Sequence, residues 1–119
     1  MNKILVVDDD LDILTLVKTI LTVNNFTTEI LSQWEHIYST IETFQPNLIL
    51  IDISLSGADG TEICRTLKQN PETMSIPVIL FSANVEMGKR ALDCGAQGYL
   101  SKPFSIKELI DAIEKNIIG

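Results

Sequence analysis

Five short apolar runs punctuate the chain: KILVV (3–7), FTTEIL (26–31), NLILID (47–52), VILFS (78–82) and GYLS (98–101). Their length and their Val, Ile and aromatic content predict strands, and residues 4–7, 48–51 and 78–81 are apolar throughout, as strands buried on both faces are. The stretches between them change period. Leu14, Val17 and Leu21, then Trp34, Ile37 or Tyr38, Ile41 and Phe44, recur at three-to-four spacing and give two helices one apolar stripe each. A third helix is predicted near 60–69 and a fourth near 85–94. The last, in SIKELIDAIEKNII, has Ser105 as N-cap, Glu108 as its capping-box partner, and an apolar face of Ile106, Leu109, Ile110 and Ile113.

Strand and helix alternating five times predict an α/β fold with a parallel sheet. Right-handed crossovers place the five helices on both faces, giving a flavodoxin-like three-layer sandwich. For five strands the doubly wound order is 2-1-3-4-5, with strands one and three adjacent at the switch point. A chain of 119 residues, 45% hydrophobic with only 4 Pro and 6 Gly, fits one folded domain over 1–119, with no output domain following it.

Charge narrows the function classes. Nine Lys and Arg against sixteen Asp and Glu leave a net charge of −7, which repels phosphate backbones and anionic lipid, so direct nucleic-acid binding is not expected. The apolar run Ile4 to Val7 falls far short of the ~20 residues of a membrane span, and the acidic cluster after it excludes a secretory signal, so a cytoplasmic location is expected. Cys64 and Cys94 lie in no C-x-x-C or Cys/His ligand pattern and read as buried free thiols.

In a parallel sheet, residues just past the strands' carboxyl ends collect on one edge, where open α/β sheets place their sites. Those residues are Asp8 and Asp9, Asp52, Ser82, and Ser101-Lys102-Pro103. Asp10 is expected to cap the first helix, but capping explains neither Asp8 and Asp9 together nor Asp52, which ends a separate apolar strand. At an effective dielectric near 20, two carboxylates ~5 Å apart repel by about 3 kcal/mol, so something must offset the cluster. Oxygen-only donors with room for water suit Mg²⁺, or Mn²⁺. Three carboxylates, one Lys102 ammonium and a divalent cation then sum to zero charge, with the Ser82 hydroxyl as a neutral donor. This is equipment for phosphoryl transfer, with Asp52, kept anionic by the cation and Lys102, as the nucleophile.

With these residues in view, the chain resembles the receiver domain of two-component response regulators over essentially its whole length. The likeness rests on VVDDD, on LILIDISLSGADG around Asp52, on SA at 82–83 and on GAQGYLSKPF at 95–104, in the family's order and spacing. It implies Asp52 as phosphoacceptor, Asp9 as a direct metal ligand, Asp8 as a ligand through water, and the Ser54 backbone carbonyl as a third protein oxygen. Lys102 and Ser82 would bind phosphoryl oxygens, Lys102-Pro103 would be a cis peptide, and Tyr99 would be a switch aromatic moving with Ser82. The helix 4, strand 5 and helix 5 surface would then change for a partner.

Implied partners are a histidine kinase or histidine phosphotransfer protein as phosphodonor, and a downstream protein or fused output domain, with the chain a monomer or a weak phosphorylation-dependent dimer. The chain would be a switch promoting its own phosphorylation and dephosphorylation, without other turnover. Departures from the family pattern are Ser56 where Pro is common, Ala58 where Met is common, and Asn25 where Gly is frequent. Ser54 and Asn84 stand at variable places facing the phosphorylation site. His36, Lys89 and Arg90 read as solvated helix residues.

Three other readings are weaker. A haloacid-dehalogenase-type phosphatase needs a second Asp two residues after the nucleophile, where this chain has Ser54. A flavodoxin-like cofactor binder needs a phosphate-cradling Ser, Thr and Gly loop after strand one, where Asp8, Asp9 and Asp10 would repel a phosphate. A receiver fold used constitutively as an interaction module would not need its full set of phosphorylation residues.

Overall fold

Alternation along the strands decides the architecture, because successive side chains of a strand point to opposite faces. The computed structural model describes residues 2–83 and 93–117. In it β1 (Lys3–Val7), β2 (Thr27–Leu31), β3 (Leu48–Asp52), β6 (Val78–Ser82) and β7 (Gly98–Ser101) form one sheet in the order β2-β1-β3-β6-β7. All four pairings are parallel, with Val7 opposite Ile51, Asp52 opposite Phe81 and Ser82 opposite Ser101. This is the expected 2-1-3-4-5 order once a short hairpin, β4 (Ser54–Leu55) with β5 (Ala58–Asp59), is set aside. The hairpin follows Asp52 directly and was not legible in the sequence.

One sheet face buries Leu5, Val7, Ile49, Ile51 and Leu80 against α2 (Ile37–Phe44) and α3 (Gly60–Gln69). The other buries Ile4, Val6, Leu50, Ile79 and Phe81 against α1 (Leu11–Val23) and α4 (Ile106–Asn116). The result is a three-layer sandwich with four α-helices among the described residues. The predicted fourth helix, near 85–94, lies for the most part outside the described residues, as do Asn84, Lys89 and Arg90. No helix among the described residues is long and apolar enough to cross a membrane.

Local chemistry sets the helix ends. Asp10 caps α1 by accepting from Asp12 N and Ile13 N, and Asn25 takes the left-handed conformation (φ 69°) that turns the chain toward β2. Ser105 and Glu108 form the expected capping box. Two details of the sequence reading need correction, and one alternative it left open is decided. The second helical stretch opens as a 3₁₀ turn (Trp34–His36), and α2 begins at Ile37 without a side-chain cap. On α2, Ile37 is buried and Tyr38 exposed. Ile106 sits in the first turn of α4 and is 58% exposed, because Leu109 and Ile113 alone of its predicted face reach the core as buried residues.

Candidate functional site

The parallel register delivers three charged side chains to one point. Asp8 directly follows β1, and its backbone N–H donates to Leu31 O (3.2 Å), prolonging the β2 contact. Its side chain is buried, with Oδ1 accepting from Asp10 N (2.9 Å). Asp52 closes β3, and its Oδ1 accepts from Ser54 N at 3.3 Å. Lys102 follows β7, where its N–H donates to Ser82 O (2.9 Å) across the sheet edge and its peptide to Pro103 is cis. From there Nζ reaches Asp8 Oδ2 at 3.0 Å and Asp52 Oδ2 at 3.4 Å, lying 4.8 Å from the Phe81 ring centroid. One ammonium thus bridges two buried carboxylates.

The electrostatics are under-compensated. Burial, and next the neighbouring Asp8 carboxylate, raise the Asp52 pKa above its ordinary value of 3.8, while Lys102 and the Ser54 N–H pull it down less. Asp8, Asp52 and Lys102 carry one unit of negative charge in excess when ionised. The expectation that Lys102 helps keep Asp52 anionic therefore holds in sign, and the protein's own groups do not complete it.

The remaining residues divide. Ser82 is buried at the end of β6, and its carbonyl accepts from Lys102 N and from Tyr99 Oη (3.3 Å), which brings Ser82 and Tyr99 into contact. Tyr99 itself is half-buried. Ser54 is exposed on β4, beside Asp52. Asp9 does not join Asp8 and Asp52: it is exposed, and its Oδ2 accepts from the backbone N–H of Ser56. Among the described residues no three His, Cys, Asp or Glu side chains gather as a metal-holding group. The donor chemistry nonetheless fits a hard divalent cation, since two carboxylates share one ammonium and a third stands one residue from Asp8.

Sequence reasoning missed two supporting features. Gly60 packs its backbone onto the end of β3: its N–H donates to Ile53 O (2.8 Å), and a Cβ there would lie 2.3 Å from Asp52 O. The Gly in ADG was the available signal. Trp34 packs against the core as its place in the apolar stripe implies, and its Nε1 also donates to Ser56 O at 3.1 Å. A cavity of about 400 Å³ lined by Tyr38, Glu42, Gln45, Asn70 and Thr73 lies near the opposite ends of β3 and β6, away from these groups.

A doubly wound parallel sheet whose switch point carries an Asp–Asp–Lys constellation defines the receiver class of signalling domain. The chain belongs to the response regulator receiver domain family, whose model matches residues 4–114. It is 40% identical over 119 residues to the nisin biosynthesis regulatory protein NisR of Lactococcus lactis subsp. lactis, covering 97% of this chain and 50% of that one. It is 32% identical over 114 residues to the phosphate regulon transcriptional regulatory protein PhoB of Rhizobium meliloti, covering 94% and 50%. Among solved structures, the receiver domain of the Francisella response regulator 1452 superposes with a TM-score of 0.86 at 32% identity, covering 97% of this chain and 95% of that one. The chain spans about half the length of the curated relatives it matches. It is a receiver domain of two-component response regulators, a signalling switch.

Proposed function

We propose that Asp52 accepts a phosphoryl group in a divalent-cation-dependent reaction and so switches the surface around Tyr99. The observation that carries this reading is the Lys102 ammonium shared between Asp8 and Asp52 at 3.0 and 3.4 Å, with Asp52 still short of compensating positive charge. Asp8, Asp52, the Ser54 carbonyl and, once freed, Asp9 would hold Mg²⁺ or Mn²⁺, which supplies neutralisation of phosphoryl oxygens and of the carboxylate edge when bound. An Asp52 oxygen attacks phosphorus in line, the bond from phosphorus to the donor nitrogen or acyl oxygen breaks, and its electron pair leaves with the donor. The Lys102 ammonium follows the developing charge onto the phosphoryl group, and the Ser82 hydroxyl donates to a phosphoryl oxygen. Displacement of Ser82 pulls on the carbonyl that Tyr99 Oη holds, biasing a two-state ring position.

The donor is a phosphohistidine of a histidine kinase or phosphotransfer protein, or a small acyl phosphate. The receiver of the signal is a downstream protein or an output domain. Incubation with acetyl phosphate and Mg²⁺, followed by intact mass measurement, is expected to add one phosphoryl group to the wild-type chain and none to Asp52→Asn or to the wild type in EDTA. Equal labelling of Asp52→Asn would overturn the assignment, and steady turnover of an aryl phosphate would replace a switch with a phosphatase.

A further inference from the structure

Ser56 is held from both sides. Its N–H donates to Asp9 Oδ2, and its carbonyl accepts from the Trp34 indole N–H at 3.1 Å. It stands at the second position of the turn Leu55–Ala58, where the antiparallel pairing of Leu55 with Ala58 and the φ of 79° at Gly57 are those of a type II turn. Asp8 and Asp52 converge on one ammonium, whereas the third carboxylate of the edge faces this turn.

We infer that the Ser56 backbone amide is a lock on Asp9: it competes with a divalent cation for the Asp9 carboxylate, and Trp34 reports its release. The inference rests on the proposed cation-dependent site. A carboxylate bonded to an amide has an oxygen lone pair committed, and a hydrogen bond to an ionised acceptor is stronger than one between neutral groups. Cation binding through Asp9 exchanges that bond for a metal–oxygen contact and leaves the exposed amide to water. The identity of residue 56 matters because proline has no N–H to donate. This position favours proline sterically, since it is the second residue of a type II turn and follows Leu55, which is already extended in β4. A chain with Pro there has no lock, and this chain has Ser. Trp34 is the single tryptophan of the chain, so its emission isolates the loop.

The test titrates the full chain and its Ser56→Pro and Ser56→Ala variants with MgCl₂, measuring affinity by calorimetry and Trp34 emission in parallel. Ser56→Pro is expected to bind Mg²⁺ about threefold to tenfold more tightly, the size of losing one exposed charge-assisted hydrogen bond. Ser56→Ala, which keeps the amide, is expected to match the wild type. Wild-type Trp34 emission should change with the calorimetric midpoint, and the Ser56 amide proton should shift toward a solvent-exposed value at saturation. Equal affinities in wild type and Ser56→Pro, or a Ser56 amide signal that stays put in Mg²⁺-saturated wild type, would overturn the lock and leave the phosphoryl site intact. The amide measurement needs no variant, so it decides even if Ser56→Pro folds poorly. No Mg²⁺ binding by any of the three chains would overturn both readings.

Discussion

Asp52 carries its charge against its surroundings. Its pKa is raised by burial first and by Asp8 second, so the native state binds its proton more tightly than the unfolded chain does. The stability this contributes is fully present below the ordinary value of 3.8 and is lost as pH rises through the higher folded value. Asp52→Asn keeps the shape and removes the charge. It is expected to raise the melting temperature at neutral pH by a few degrees, with the gain vanishing well below pH 3.8. Calorimetric scans in the two conditions measure this; an Asn variant no more stable at neutral pH would mean that Lys102 compensates both carboxylates. Asp8, Asp52 and Lys102 were legible because each directly follows or closes an apolar strand. The Asp9–Ser56 bond was not, since its donor is a backbone amide, a group every residue but proline carries.

At the scale of elements, ends were easier to read than interruptions. Asp10 and Ser105 cap α1 and α4 as their spacing implied, because a cap is a contact between residues two or three apart. The 3₁₀ opening before α2, the left-handed Gln45 (φ 53°) that ends it and the hairpin after Asp52 depend on how the chain must travel between layers. That hairpin returns the chain over the end of β3 and presses Gly60 against the Asp52 carbonyl. Gly60→Ala is therefore expected to lose about 2–3 kcal/mol of stability, the scale of overpacking against an immobile neighbour, and to slow Asp52 phosphorylation by shifting its backbone. Urea unfolding and the acetyl phosphate assay report the two effects, and a stability within about 0.5 kcal/mol of wild type would contradict this packing.

Across the whole molecule, the two core faces bring together residues distant in sequence. Cys64, on α3, and Cys94 are both buried in one core cluster, with Cys64 Sγ 3.8 Å from Cys94 O. Burial, with Cys94 as the next cause, pushes the Cys64 thiol up to about 12. A thiol reagent at mildly alkaline pH is expected to label neither cysteine in the native state and both in urea, since the thiolate is the nucleophile and burial denies access. Fast native labelling, followed by absorbance, would contradict that burial.

The order of strands and helices, the two-faced core and the edge on which Asp8, Asp9, Asp52, Ser82 and Lys102 collect were set by the sequence alone. Apolar period and chain connectivity act through local geometry and a small set of allowed crossovers. Tertiary structure decided which partner each of those groups takes: one ammonium for Asp8 and Asp52 together, the Ser56 amide for Asp9, and the Ser82 carbonyl for Tyr99. Those choices turn on ångström-scale distances between elements far apart along the chain, and hydrogen bonding falls away over such distances.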